Sequence, residues 1–226
     1  MRVRKKKNGA ERIAACSHLL ISDLKFLSEP EKIFENDAPL HLEIGCGKGN
    51  FACGMSEAYP EVNFIAMEKV SDVCCVALEK AVKRTEERTR DNLRFLIGDA
   101  KFLAENMKPH SVDCIYLNFS DPWPKSGHAK RRLTYSAFLE IYRTLLKEDG
   151  ILKLKTDNDG LFASSLEQFE ECKLDIVWMT YDLHNSDRAE GNVMTEYEAN
   201  FSAKGVPIKS AWVKFPQKDE EKTDAE

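Results

Sequence analysis

The sequence predicts an α/β fold, a doubly wound and mostly parallel sheet of seven strands with an antiparallel edge. Three observations predict it. Short apolar runs alternate with longer amphipathic ones, the first of these runs ends in a glycine-rich turn, and the last two have no long helical pattern between them. A chain of 226 residues allows one generous domain. At that size roughly 70% of the unfolded surface is buried, so neither disulfide nor metal is required to fold.

The chain opens on a basic arm, with Arg2, Arg4, Lys5, Lys6 and Lys7 and no acid in its first seven residues. This arm and the apolar run Ile13 to Ile21 imitate a signal peptide. Ser17 and His18 interrupt the run and no small-x-small cleavage site follows, so export is not expected. The runs Leu40–Ile44, Val62–Met67, Leu93–Ile97, Val112–Phe119, Ile151–Thr156, Leu174–Tyr181 and Ala211–Phe215 are rich in Ile, Val, Leu and Phe and have the length of buried strands. Between them Asn50–Tyr59, Ser71–Arg88, Ala100–Met107, Thr134–Lys147 and Leu161–Cys172 read as helices, with Gly150 placed to cap the fourth. The connection from Asp182 to Ser210 is long, polar and poorly periodic, a pattern that in compact domains marks a functional or disordered loop. From Lys218 onward five acids face two lysines, which reads as a solvated tail. The expected organisation is therefore a basic arm and helix over 1–35, one α/β domain over 36–217 and an acidic tail over 218–226.

Composition narrows the class. Hydrophobic residues at 42% and charged residues at 31% exclude a disordered chain, and no run approaches the ~20 apolar residues of a membrane span. The seven cysteines are odd in number and form no Cys-x-x-Cys pair, which argues against a disulfide framework or zinc ribbon and for reduced thiols in the cytoplasm. The five histidines show no metal-ligand spacing, so no metal is expected. The net charge is -5, yet Lys125, Lys130, Arg131 and Arg132 form an island without an acid. Such a patch attracts a polyanion locally, or is ordinary soluble surface.

The first strand runs into Glu43-Ile44-Gly45-Cys46-Gly47-Lys48-Gly49-Asn50. The glycines let a ligand approach the backbone at the carboxyl end of the sheet. A nicotinamide fold wants a glycine where Asn50 stands, and a phosphate-binding Walker loop wants Ser or Thr where Gly49 stands. Glu43 would repel a pyrophosphate but suits a cation. S-adenosyl-L-methionine carries a sulfonium and an ammonium, and Glu-x-Gly-x-Gly-x-Gly opens Rossmann-like methyltransferases. Glu68 ends the second strand, where a carboxylate accepts from ribose hydroxyls, and Asp99 ends the third, where it reaches an adenine amino group. Either acid is otherwise a helix N-cap. Cys46 is a small residue in a tight turn; a pyrimidine-attacking cysteine would follow a proline.

The most informative segment is Asn118-Phe119-Ser120-Asp121-Pro122-Trp123-Pro124-Lys125. Its prolines hold the residues before them extended and present the Asp121 carboxylate beyond the strand end. Trp123 either packs beside a base or anchors the loop. This segment, His128-Ala129-Lys130-Arg131-Arg132-Leu133, Leu154-Lys155-Thr156-Asp157-Asn158 and Thr195-Glu196-Tyr197-Glu198 together resemble the bacterial tRNA (guanine-N(7)-)-methyltransferases, from the basic start to about Val206. The resemblance implies a Rossmann-like class I S-adenosylmethionine-dependent methyltransferase fold. It implies methyl transfer to nitrogen 7 of the guanosine at position 46 in the tRNA variable loop. It also implies tRNA as the partner; no membrane and no obligate protein partner are expected, and a monomer or homodimer is.

By the same resemblance Glu43, Gly45, Gly47, Gly49, Glu68, Asp99 and Asp121 contact the cofactor, and Asp121 is the catalytic residue. Lys125, Asp157, Thr195, Glu196, Tyr197 and Glu198 contact the substrate, and Gly127, His128, Ala129, Lys130, Arg131 and Arg132 contact RNA. Asp157 is otherwise a helix N-cap, and Glu198 otherwise a solvated side chain. The chain has Ser126 and Gly127 where the family commonly continues with basic residues, and each lost phosphate contact flattens the salt dependence by a log-log slope of roughly 0.7 to 0.9.

Overall fold

The computed structural model describes residues 6–85 and 91–216. Arg2, Arg4 and Lys5 of the basic arm, residues 86–88 of the predicted second helix, and the acidic tail lie outside the described residues. Strands β1 (Leu40–Ile44), β2 (Asn63–Glu68), β3 (Leu93–Ile97), β4 (Val112–Asn118), β5 (Leu146–Thr156), β6 (Asp175–Thr180) and β7 (Lys209–Lys214) form one sheet in the order β3-β2-β1-β4-β5-β7-β6. Neighbours pair parallel except at β7, which inserts antiparallel between β5 and β6. Side-chain chemistry explains that placement. Ala211 and Val213 of β7 are fully buried, as suits a strand flanked by β5 and β6, whereas Ile176, Val177 and Met179 of the edge strand β6 are exposed.

The helices are α1 (Gly9–Ala14), α2 (Pro30–Phe34), α3 (Asn50–Ala58), α4 (Ser71–Thr85), α5 (Leu103–Asn106), α6 (Ser136–Leu145), α7 (Asp159–Glu171) and α8 (Glu196–Ser202). Strand residues alternate between two faces, and each face has its own core. Leu40, Leu42 and Ile44 join Leu152, Leu154 and Val213 under Phe138 and Tyr142 of α6 and Phe162 and Phe169 of α7. On the opposite face Phe64, Ala66, Phe95 and Tyr116 pack under Phe51 and Met55 of α3 and Ala77 and Leu78 of α4. The N-terminal segment joins this second face: Arg12 donates two hydrogen bonds of 2.6 Å to Glu79 of α4, and Ile21 N–H bonds Phe95 O.

Two expectations are corrected. Trp123, which precedes Pro124, is left-handed (φ 41°) rather than extended. Gly150 does not cap a helix. Helix α6 ends at Leu145, β5 begins at Leu146, and Gly150 lies inside that strand. Leu146 pairs with Val112 and Ile151 with Cys114, so the register shifts between them. A Cβ at Gly150 would meet Leu146 Cδ2 and Lys147 O at 2.9 Å each, so this irregular stretch needs a glycine for space. The connection between β6 and β7 also acquires structure: a 3-10 turn over Leu183–Asn185, then α8, whose first turn is fixed by a capping box between Thr195 and Glu198.

Candidate functional site

Strand β1 delivers Glu43 to a position where it is 5% exposed. Oε1 accepts 2.9 Å from Asn118 Nδ2 at the end of β4, while Oε2 and Asn118 Oδ1 are buried without a hydrogen-bond partner among the described residues. Burial pushes the Glu43 carboxyl up to about 7, with the Asn118 bond and the nearby Lys155 charge pulling partly against it. A buried carboxylate oxygen left unpaired beside an open turn is set to receive a donor from a ligand.

The turn that follows is left-handed at Gly45 (φ 83°), Gly47 (φ 57°) and Gly49 (φ 76°). A Cβ at Gly45 or Gly47 would point into open space, whereas at Gly49 it would meet Ala77 Cβ at 2.9 Å. The first two glycines therefore form a cradle, and the third lets α3 and α4 pack. Glu68 closes the cradle: Oε2 accepts from Gly47 N–H at 3.0 Å and Oε1 from Val70 N–H at 2.9 Å. A carboxylate offers about four acceptor sites, so two remain for a ligand. Asp99 does act as an N-cap, accepting from Lys101 N–H, and it also pairs with Lys69 at 2.6 Å. Burial raises its carboxyl, but the Lys69 and Lys101 hydrogen bonds outweigh this and leave it below the ordinary value.

Two adjoining cavities organise these residues. One, of about 580 Å³, is lined by Glu68, Asp99, Asp121, Trp123, Lys130 and Arg131 among others. The other, of about 290 Å³, brings Glu43 and Gly47 together with Thr195, Glu196 and Tyr197. Gly45 and Phe119 line both. Phe119 has φ 52° and its ring lies 5.0 Å from that of Tyr197, so the junction has an aromatic wall. Asp121 is exposed and makes no hydrogen bond or ion pair among the described residues. Its loop is held by Arg132, whose guanidinium donates to Pro122 O at 3.0 Å and Trp123 O at 3.1 Å. Trp123 is covered by Arg131 at 4.9 Å and meets the His128 edge at 5.7 Å. Lys125 precedes the 3-10 turn Ser126–Arg131, of which Lys130 and Arg131 line this cavity while Gly127, His128 and Ala129 do not.

The C-terminal quartet divides by burial. Glu198 is fully buried and accepts from Lys155 Nζ (2.8 Å), Asn192 Nδ2 (2.7 Å) and its own capping partner, so the solvated alternative does not hold. Glu196 accepts from Lys48 of the glycine turn at 2.9 Å, and that bond, ahead of the Lys48 and Lys80 charges, keeps its carboxyl below the usual range. Tyr197 is exposed and its hydroxyl donates 3.1 Å to Asp157. The N-cap of α7 is Asn158, which accepts from Leu161 N–H, so Asp157 is free of that duty. Two residues with structural weight are not among the site residues that the sequence predicts. Asn118 orients Glu43. Lys155 ties β5 to Asn192, Val193 and Glu198. Each stood inside a quoted motif, and a lysine at an inward position of Leu-Lys-Leu-Lys-Thr was the available signal.

The arrangement fits the expected methyl donor: an unpaired buried carboxylate oxygen for an ammonium, a glycine cradle open to close approach, and a strand-end carboxylate with acceptor sites to spare. Among the described residues no group of three or more His, Cys, Asp or Glu could hold a metal, and no helix is long and apolar enough to cross a membrane.

Comparison with known proteins gives concordant results. The family model described as "Putative methyltransferase" matches residues 37–211. The tRNA (guanine-N(7)-)-methyltransferase of Listeria monocytogenes is 45% identical over 216 residues, covering 95% of this chain and 99% of the relative. That of Limosilactobacillus reuteri is 46% identical over 211 residues, covering 92% and 96%, and that of Brevibacillus brevis 50% identical over 175 residues, covering 77% and 80%. Among solved structures, the 16S rRNA methyltransferase KamB superposes with a TM-score of 0.60 at 12% identity, covering 84% of this chain and 93% of that one. An antibiotic-related methyltransferase reaches 0.58 at 16% identity, covering 84% and 92%. At such identity these two show the fold alone.

Proposed function

The chain belongs to the tRNA (guanine-N(7)-)-methyltransferase family, and from that premise we propose how its residues carry out the reaction. The activity is transfer of a methyl group from S-adenosyl-L-methionine to nitrogen 7 of a guanosine in tRNA, and the position we assign is 46, in the variable loop. When bound, S-adenosyl-L-methionine supplies an electrophilic methyl group on a sulfonium. Glu43, steadied by Asn118, faces the ammonium with its unpaired oxygen. Gly45 and Gly47 let the ligand lie against the backbone and Gly49 fixes the turn behind them. Glu68 accepts from the ribose hydroxyls and Asp99 from the adenine amino group.

Guanine nitrogen 7 carries a lone pair and no proton, so attack on a methyl carbon needs no general base. Positive charge appears on the purine as the bond forms. The protein's work is alignment and a carboxylate placed where that charge develops. Asp121 is that group: a carboxylate without a partner among the described residues, lining the larger cavity on a loop pinned by Arg132. The target ring enters against Phe119 and Tyr197, with Lys125, Asp157, Thr195 and Glu196 around it. Glu198 serves this surface from beneath, by holding Thr195 and Asn192 in place. Gly127, His128, Ala129, Lys130, Arg131 and Arg132 meet the RNA backbone. Residues 36–217 form the methyltransferase domain, flanked by the basic arm and helix over 1–35 and the acidic tail over 218–226. It works in the cytoplasm, as a monomer or homodimer without an obligate protein partner.

The observation that carries this reading is the meeting of the two cavities at Gly45 and Phe119, with Glu43 on one side and Glu68, Asp99 and Asp121 on the other. The test is methyl transfer from labelled cofactor to an unmodified tRNA transcript, followed by nuclease digestion and mass spectrometry. A cationic, alkali-labile methylguanosine from the variable loop is the expected product. A methyl group on an exocyclic amine, or no transfer, would overturn the assignment.

A further inference from the structure

The apolar core on the α3 face stops at β4. Beyond Tyr116 the sheet presents Lys153 of β5 and Trp212 of β7 to a cavity of about 360 Å³, floored also by His41 and roofed by residues 187–193. Aliphatic side chains would be the ordinary cover for a sheet face in this position. Instead Lys153 Nζ lies 3.8 Å from the Trp212 ring centroid, and the Arg188 guanidinium lies 4.2 Å from that ring and 5.4 Å from Trp178. Neither cation has a carboxylate within ion-pair distance among the described residues. Lys155, one pair of residues along the same strand, shows the contrast: it has three oxygen partners. The acids at this cavity are Asp187, already accepting from Trp178 Nε1 at 3.1 Å, and exposed Glu190. His41 is bonded to the Tyr116 hydroxyl at 3.1 Å, and burial, ahead of the Lys153 charge, lowers its pKa to about 4, so it adds no charge near neutral pH.

Two cations without a carboxylate partner among the described residues, set on indole rings inside a concave site with room for a small ligand, match an anion joined to a planar ring. The cavity also shares Phe51 and Asn118 with the smaller of the two cavities described above, so its occupant would be a near neighbour of the reacting guanine. We propose that this cavity binds a second nucleotide of the tRNA, other than the methylated guanosine, its phosphate held by Lys153 and Arg188 and its base in the cavity beside Trp212. The inference rests on tRNA being the substrate.

Two measurements test it. In a Trp123→Phe chain the remaining indoles are Trp212, which lines this cavity, and Trp178, whose ring lies 5.4 Å from that of Trp212, so emission reports its occupancy. Titration with guanosine monophosphate is expected to give a saturable change, with guanosine and inorganic phosphate each at least about tenfold weaker, and with Lys153→Ala or Arg188→Ala added the midpoint moves about tenfold higher. An equal response to inorganic phosphate would mean an anion site only and would overturn the nucleotide assignment, as would no saturable change. In steady-state methylation by the otherwise unaltered chain, Lys153→Ala and Arg188→Ala are expected to raise the KM for tRNA about tenfold and reduce the salt slope by roughly 0.7 to 0.9, with kcat and cofactor affinity unchanged. Parental kinetics in both variants would refute the proposal. If the parent transfers no methyl to tRNA, the proposed function fails by itself, and the emission titration still judges the cavity.

Discussion

Lys155 and Glu198 meet at 2.8 Å with the lysine side chain 8% exposed and the glutamate wholly enclosed. The pair joins β5 to the first turn of α8 and, through Glu198, holds the capping box that begins the Thr195–Ser202 segment. Burial lowers the Lys155 pKa, and the Glu198 charge offsets this only in part. Removing one partner leaves the other charge enclosed, a change that costs about 3–5 kcal/mol, far above the yield of an exposed pair. Lys155→Ala should therefore lower the urea midpoint by that equivalent at an unchanged m-value. Lys155→Met with Glu198→Gln, which removes both charges, should recover much of the loss. A loss below about 1 kcal/mol in the single variant would show that the pair is not enclosed as described.

Two groups on the same sheet face respond oppositely to pH. Glu43 has a folded-state pKa near 7, above its ordinary 4.5, so the native state holds a proton the unfolded chain has released and stability falls as pH rises from 4.5 to 7. His41 has a folded-state pKa near 4, below its ordinary 6.5, so stability falls as pH drops from 6.5 to 4. Between 4.5 and 6.5 the two contributions cancel. Glu43→Gln should unmask the histidine: the variant's stability should fall by about 1.4 kcal/mol for each unit that pH drops from 6.5 to 4.5, where the parent's stays nearly level. Denaturant titrations at four pH values check this. Parallel curves for variant and parent would refute it.

Gly47 and Gly49 adopt similar left-handed backbone yet should fail differently when changed to alanine. Both substitutions cost about 1–2 kcal/mol for the conformation. At Gly49 the new Cβ also lands 2.9 Å from Ala77 Cβ, so α3 and α4 must separate and the melting temperature should drop further. At Gly47 the Cβ projects into the cradle, so the expected result is a modest stability change with cofactor affinity reduced at least about tenfold, measured by calorimetry. Equal effects of the two variants on both readouts would count against a cradle at Gly47.

The sheet was legible because its strands are chemically plain. Leu40–Ile44 and Leu93–Ile97 are bounded by turn residues and match the structure at both ends. The strand-end acids were legible for the same reason, since a carboxylate closing an apolar run has little to do in a core. Gly150 misled because a glycine after a helical pattern has two explanations, a cap and a close approach, and only the register between β4 and β5 separates them. The order β5-β7-β6 was hidden because local pattern does not fix which of two final strands is inner. Lys155 was hidden because its partners Asn192, Val193 and Glu198 lie 37, 38 and 43 residues away. Alternation along a strand shows which side chains point inward but not what they meet there.

Asp121 supplies the sharpest functional prediction, because its energetics are separable from folding. It is exposed and unpaired among the described residues, so Asp121→Ala should leave the unfolding midpoint unchanged. Turnover should nonetheless fall by about 10²-fold or more, the scale for loss of one preorganised polar group at a centre where charge develops. Asp121→Asn separates two contributions. It keeps a carbonyl acceptor for the guanine donors but removes the charge that offsets the purine cation. If the carboxylate acts electrostatically, asparagine should resemble alanine in kcat and differ from it mainly in KM for tRNA. Single-turnover methylation measures the chemical step apart from product release. A parental single-turnover rate in Asp121→Ala would remove Asp121 from the reacting centre.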